Sequence, residues 1–303
     1  MEYKIITGAN DSYILTLINF IKNHIDKINT VPLIIYDLGL SDSNKKTIEE
    51  LIMGHHITIK IFDYSLYPEH VNVNTHNGLY CSYAFKPICI YNECIHEPTV
   101  PHLWLDSANL FSIDTVHQMI QSINTFGVYS PVGNYEKTIE SIELNHPVTL
   151  QKLGLTEREH YHSLQTRHAC VVGMKYANPC GKNILDNWYK CSLQEDIIIP
   201  HGSSRNNHRQ DQTVLSALMF LWEKENNMSF DKSNFNLSTN NKLDKLIISS
   251  EYHPYKLCDI FGNQLAIIYT KTINEAVEVY SNRKKMNITD FLCHYSVSLT
   301  HRQ

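Results

Sequence analysis

The chain has 303 residues, with 26 Lys+Arg against 31 Asp+Glu for a formal charge of −5, and is 43% hydrophobic and 19% charged. That length supports a full hydrophobic core, and the composition excludes a disordered chain. The mild acidity argues against a nucleic-acid binder, which needs clustered Lys and Arg, and the Arg283-Lys284-Lys285 run is too short to supply them.

Strand and helix patterns alternate from the start. Tyr3 to Thr7 reads as a buried strand ending at Gly8, and Asp11-Ser12 offers a cap to a helix carrying Ile14, Leu17, Ile18, Ile21 and Ile25. Leu33 to Tyr36 is a second strand, closed by Asp37-Leu38-Gly39. A helix from Lys45 to Met53, capped by Ser41 or Ser43, precedes a third strand, Ile57 to Phe62. Tyr83 to Cys94 has a helical pattern despite Pro87, and His102 to Leu105 is a fourth strand running into Asp106. Asp114 to Ile123 is helical, and residues 126–166 carry little periodicity. A strand at Ala169 to Met174 and a helix at Ile184 to Cys191 follow. Pro200 to Ser204 is a loop before a helix with Val214, Leu215, Leu218, Met219 and Trp222 on one face. A polar loop from Asn226 to Asn241 and strands at 246–250 and 265–270 complete the reading. The alternation predicts an α/β fold with a mainly parallel sheet, in one domain with an elaborated C-terminal half.

The eight cysteines include no C-x-x-C pair and fall in apolar or helical runs, so they read as reduced thiols. No signal-peptide core opens the chain, and no apolar run of 18 residues exists. The expectation is a cytoplasmic protein without a membrane span, from an AT-rich genome, a viral one included; for a virus the compartment would be host cytoplasm or a viral factory.

Ligands of open α/β sheets bind beyond the carboxyl ends of the strands. Three such ends are polar here: Thr7-Gly8-Ala9-Asn10 with Tyr13 a turn later, Asp37 to Ser41, and Asp106-Ser107-Ala108-Asn109. A carboxylate emerging after Leu-Trp-Leu can hold Mg²⁺ or Mn²⁺ alongside phosphate oxygens, or can cap the segment that follows. Asp211 and Gln212 open the helix after 210, where a carboxylate suits the helix dipole. The polar run Arg205 to Asp211 beside Gly202-Ser203-Ser204 could also line a site for a hydroxylated ligand. The P-loop, dinucleotide and nucleophile-elbow patterns are absent, and Pro98 breaks the helix that His96-Glu97 would need for a zinc site. His55-His56 and His160-Tyr161-His162 read as surface histidines.

Together these segments resemble a GT-A-type glycosyltransferase. Ile5-Ile6-Thr7, Asn10 and Tyr13 resemble the opening of the glycogenin and lipopolysaccharide-galactosyltransferase group. Tyr36-Asp37-Leu38-Gly39-Leu40-Ser41, Tyr83-Ala84-Phe85-Lys86-Pro87, Trp104-Leu105-Asp106-Ser107-Ala108 and His208-Arg209-Gln210-Asp211-Gln212-Thr213 resemble, in order, the YDLGLS, YaWKP, WLDSG and HRxDQS elements of a less characterised glycosyltransferase-like group. The resemblance implies transfer of a sugar from a nucleotide-sugar donor, UDP-linked, to the hydroxyl of a glycan, glycoprotein or small acceptor, with Mn²⁺ or Mg²⁺. It implies that Thr7, Asn10 and Tyr13 hold the nucleotide and that Asp37 and Ser107 belong to the same donor-binding set. Asp106 would be the metal ligand, Lys86 a second cation, and Asp211 and Gln212 would face the anomeric carbon or the acceptor; a match to the Asp-Gln pair of the glycogenin-like group favours retention, while an inverting enzyme would use Asp211 as general base. Residues 1–125 would form the nucleotide-sugar half and 126–303 the acceptor half. Ala108 departs from the DxD pattern, so Asp106 would bind metal with fewer protein ligands or with help from Asn109, or not at all, and the family's C-terminal histidine ligand would be His253 or His294. That departure also motivates an inactive GT-A-like scaffold as the alternative, with an unrelated nucleotide-binding α/β protein as a third reading.

Overall fold

The structure, a computed structural model, describes residues 2–74, 82–132, 144–155, 164–204, 207–230, 238–239, 253–259, 264–270, 273–284 and 286–299. The chain divides into two compact units. The first takes Met1–His76 and Tyr80–Leu237, the second Ser238–Gln303 with Asn77–Leu79.

The first unit is built on strands β1 (Lys4–Ala9), β2 (Leu33–Asp37), β3 (Ile57–Ile61), β4 (His102–Leu105), a two-residue β5 (Asn109–Leu110), β6 (Val128–Tyr129) and β7 (Val171–Met174). Six of them form one sheet in the order β3-β2-β1-β4-β7-β6. β1, β2, β3 and β4 are parallel, in registers such as Ile6 beside Ile34 and Ile6 beside Trp104. β7 runs antiparallel to both β4 and β6. Helices α1 (Ile14–Ile28), α2 (Asp42–Ile52), α3 (Phe85–His96), α4 (Ile113–Phe126), α5 (Pro147–Lys152), α6 (Pro179–Ser192), α7 (Glu195–Ile198) and α8 (Gln210–Asn226) complete it.

Alternation along the strands sorts the core into two layers, as period-two geometry requires. Ile6, Ile34, Trp104 and Val172 pack with Ile88 of α3, Ile184 and Trp188 of α6 and Val214 of α8. Their sequence neighbours Ile5, Leu33, Ile35, Leu103 and Val171 pack with Leu17, Phe20 and Ile21 of α1 and Met119 and Ile120 of α4. The parallel sheet is thus covered on both faces, with its strand carboxyl ends free to build a site.

Local chemistry adjusts the predicted boundaries. Asp11–Tyr13 form a short 3₁₀ turn capped by the Asn10 side chain, which accepts from Ser12 N, and α1 begins after it. Pro87 is tolerated because it lies in the first turn of α3, where no intrahelical N–H bond is required. α6 starts five residues before the apolar run at Ile184, because Asn178 caps Cys180 N and Pro179 occupies the first position.

The start of α6 also sits close on the backbone. A Cβ at Gly181 would lie 2.4 Å from the carbonyl oxygens of Gly127 and Lys175. Neither carbonyl can rotate aside as a side chain does, so Gly181→Ala is expected to cost about 1–3 kcal/mol. Urea unfolding measures it; an unchanged midpoint would show that this helix start can shift freely.

The second unit contains β8 (Ser238–Thr239) and an antiparallel sheet of β9 (His253–Asp259), β10 (Gln264–Thr270) and β11 (Tyr295–Leu299), in the order β10-β9-β11. With it come α9 (Ile273–Lys284) and α10 (Ile288–His294), and a small core of Leu257, Tyr280 and Phe291. The predicted strand at 265–270 falls within β10, whereas 246–250 and most of the polar segment 226–241 lie outside the described residues. The described cysteines are free thiols, five of them buried, and Cys81 lies outside the described residues. Among the described residues no helix is long and apolar enough to cross a membrane.

Candidate active site

β1, β2 and β4 are parallel, so Thr7, Asp37 and Asp106 lie toward the same edge of the sheet. Asp106 leaves β4 in a turn tied down on both sides. Its N–H donates to Cys170 O at 2.9 Å, and its own carbonyl accepts from Asn109 N at 2.8 Å. Trp104 Nε1 donates to Asp106 Oδ1 at 2.6 Å, fixing the carboxylate against the strand it comes from.

Two chain segments far apart in sequence bring charge to this carboxylate. Lys86, on the first turn of α3, places Nζ 3.1 Å from Asp106 Oδ1 and 3.3 Å from Asp211 Oδ2, and donates to Ala169 O at 2.9 Å. Asp211, at the start of α8, is held through its carbonyl by Trp188 Nε1 at 3.0 Å. Lys86 and Asp211 are buried, while Asp106 keeps a side chain 36% exposed. Burial pushes the Lys86 ammonium toward neutrality, but Asp106 and then Asp211 outweigh it and hold its pKa above the ordinary lysine value. For Asp211 burial dominates, opposed by Lys86 and reinforced by Asp106, and its carboxyl is pushed up to about 6.

The backbone is strained where it delivers these groups. Tyr83, three residues before Lys86, has φ of 52°, and Gln210, immediately before Asp211, has φ of 42°. Left-handed conformations are costly for such side chains and concentrate at functional sites. Four consecutive side chains, Arg209 to Gln212, each carry a buried polar atom without a hydrogen bond among the described residues: Arg209 Nε, Gln210 Nε2, Asp211 Oδ2 and Gln212 Nε2. Asp211 Oδ2 is close to Lys86 yet off the line of a hydrogen bond.

The other predicted residues are placed as follows. Thr7 is fully buried with its hydroxyl unpartnered among the described residues. Asn10 is spent on its own turn, and the Tyr13 ring is 52% exposed. Asp37 is committed locally: it accepts from Gly39 N and Leu40 N and pairs with Lys45 at 2.9 Å. Burial raises its pKa, but these partners outweigh it and the net shift is downward. Gly39, at φ of 121°, lets the chain close this turn. Ser107 is buried with its hydroxyl 3.3 Å from that of Thr16, and the Asn109 amide donates to Cys170 O. His294 belongs to the second unit, where its Nδ1 meets Asp290 O, and His253 opens β9.

Among the described residues no group of three or more His, Cys, Asp or Glu is placed to hold a metal. What the first unit offers is Asp106, whose Oδ2 has only a long 3.5 Å contact to Lys86. With both carboxylates ionised, the Lys86–Asp106–Asp211 triad carries one net negative charge. Such a donor set fits a Mg²⁺- or Mn²⁺-type ion that takes one protein carboxylate and completes its shell with phosphate and water. It does not fit a cage made wholly of protein ligands.

Solved glycosyltransferase structures are similar to this chain at low sequence identity. The bifunctional glycosyltransferase WbbM, in its apo form, matches 81% of this chain and 44% of its own with a TM-score of 0.51 and 11% identity. This chain thus corresponds to less than half of WbbM. The galactosyltransferase LgtC, in complex with donor and acceptor sugar analogs, matches over 71% of this chain and 70% of its own (TM-score 0.47, 15% identity). Core-mannan synthase A of Aspergillus fumigatus, in a Mn/GDP form, matches over 72% and 69% (TM-score 0.38, 9% identity). No family model and no curated protein sequence matches the chain. The mainly parallel six-stranded sheet flanked by helices, together with the likeness to WbbM, defines a GT-A fold. The unrelated-nucleotide-binder reading is thereby set aside at the level of fold.

Sequence reasoning singled out Lys86, Asp106 and Asp211 separately, but not their meeting at one ammonium. Gln210 entered there only as one member of the polar run Arg205 to Asp211, and Tyr83 only as part of a motif, since a left-handed φ at a non-glycine residue has no sequence signal.

Proposed function

We propose that the protein is a glycosyltransferase that moves a sugar from a nucleotide-sugar donor, UDP-linked, to an acceptor hydroxyl. The observation that carries this reading is the buried Lys86 bridging Asp106 and Asp211 beyond the carboxyl end of β4. A buried, ion-paired carboxylate with its pKa raised to about 6 is costly to maintain, and such groups cluster where chemistry needs them. In the reaction the bond from the anomeric carbon to the diphosphate breaks and a bond to the acceptor oxygen forms. The acceptor proton leaves with the diphosphate.

Charge growing on the departing diphosphate is the main barrier. A divalent ion held by Asp106 would supply Lewis-acid stabilisation there. Lys86 holds both carboxylates in place and lends its own positive charge. Asp211 and Gln212 face the sugar, and their resemblance to the Asp-Gln pair of the glycogenin-like group supports retention of configuration. Thr7, Asn10 and the exposed Tyr13 ring form the nucleotide end, with Asp37 and Ser107 shaping the adjoining turns. In this reading residues 1–125 serve the donor, and residues 126–303, beyond Asp211 and Gln212, serve a glycan, glycoprotein or small hydroxylated acceptor. Ala108 is the one feature that favours an inactive scaffold instead.

Thermal unfolding with UDP and UDP-sugars, each with Mn²⁺ or EDTA, tests the proposal. A ligand at 100 times its Kd adds about 2.7 kcal/mol, a shift of several degrees. The expected result is stabilisation by a UDP-sugar with Mn²⁺ that Asp106→Ala removes. No shift with UDP or any UDP-sugar would overturn the UDP-linked glycosyltransferase proposed here.

A further inference from the structure

Gln210 is the residue the reaction described above leaves without a task. Its side chain is buried, 3% exposed, and its amide nitrogen Nε2 has no hydrogen bond among the described residues. Its backbone stands in the left-handed region, at φ of 42°, which β-carbon sterics disfavour. A buried amide without a partner and a strained backbone both weaken the fold, and the unliganded protein gains nothing from either. Position decides what the amide is for. Gln210 directly precedes Asp211, whose Oδ2 is ion-paired with Lys86 at 3.3 Å, and Gln212 brings a second amide nitrogen without a hydrogen bond among the described residues. An amide donor on the residue next in sequence to an acidic acceptor is the kind of pair a sugar hydroxyl, both donor and acceptor, can use.

Resting on the glycosyl-transfer reading, we propose that Gln210 donates its amide N–H to a hydroxyl oxygen of the sugar carried by the donor and so helps select which sugar is transferred. The nucleotide itself makes no use of this contact. Sites built to hydrogen-bond a hydroxyl discriminate because their buried polar groups are left unpaired by the wrong ligand.

The test is titration calorimetry of the full chain with UDP, UDP-glucose and UDP-galactose in Mn²⁺, on wild type, Gln210→Leu and Gln210→Gly. Both variants are expected to weaken the preferred UDP-hexose by about five- to tenfold, the scale of one hydrogen bond. UDP affinity should change less than about twofold, since the same contact contributes nothing there. Gln210→Gly removes the strain as well, so its melting midpoint should rise by a few degrees, on the order seen for such relief. That variant keeps the test meaningful if leucine disturbs the fold. Equal weakening of UDP and UDP-hexose, or unchanged affinity for both, would overturn the assignment to the sugar. Wild-type protein that binds UDP but neither UDP-hexose would overturn it too. Wild-type protein that binds none of the three would overturn the glycosyl-transfer reading, and this assignment with it.

Discussion

Lys86→Met is expected to lower the unfolding free energy at neutral pH by about 3–5 kcal/mol, the usual consequence of removing one partner of a buried ion pair. The methionine keeps the apolar stem, so the loss is chiefly electrostatic. Asp106 and Asp211, now 3.1 and 3.3 Å from the ammonium, would face one another without it. Asp211 is the worse placed, because it is buried and cannot turn to water. The Ala169 carbonyl also loses its donor. Adding Asp211→Asn to Lys86→Met should restore much of the loss, since no uncompensated charge is then buried. The non-additivity of the pair measures the coupling directly. Urea unfolding of wild type, both single variants and the double variant is the experiment. A single Lys86→Met variant within about 1 kcal/mol of wild type would mean the ammonium is not the keystone described here. In the glycosyl-transfer reading the same variant should also slow transfer by about 10²–10³-fold, as for loss of one preorganised charge.

The second large effect lies at Asp211, and its sign depends on pH. Burial, ahead of the opposing Lys86 and the reinforcing Asp106, raises its carboxyl to about 6 in the folded protein against an ordinary value of 3.8. Between these values the native state holds a proton that the unfolded chain has already lost. Stability from this group is therefore present at low pH, falls as pH rises through that window, and is flat above it. Asp211→Asn should remove this slope and, at pH 7.5, be more stable than wild type by on the order of 1–3 kcal/mol. Its activity should fall by about 10²–10⁴-fold, as expected for loss of a charged group at the reacting centre. Wild-type kcat/KM should rise through about pH 6 as Asp211 ionises. A variant less stable than wild type at pH 7.5, or a flat wild-type rate between pH 5 and 7, would contradict this account. The two variants thus move stability in opposite directions while both lower activity. A merely structural ion pair would not behave that way.

Much of this was legible in the residues. The strand runs at Leu33 and His102 announced themselves because both faces of a covered parallel sheet must be apolar, whereas the run at Ile57 alternates with polar residues and forms a largely exposed edge strand. Asp106 stood out because a carboxylate after Leu-Trp-Leu has to emerge at the sheet rim. Asp37 had the same signature, yet its carboxylate closes a local turn on Gly39, Leu40 and Lys45, since a rim position does not say which groups will claim it first. The second unit was poorly read: β9, α9, α10 and β11 have short or polar-interrupted apolar patterns, and antiparallel pairing between segments 30 or more residues apart leaves no local trace.

By itself, then, the sequence determined the alternating architecture and the order of motifs along a GT-A-like chain, because periodicity and residue type act locally. The tertiary structure alone decided that one lysine from α3 meets carboxylates from β4 and α8, that Asp211 is buried deeply enough to shift its titration, and that Gln210 is held in a strained backbone with an idle amide. Those are consequences of long-range packing, in which residues 20 to 125 positions apart share a few ångströms of low-dielectric space.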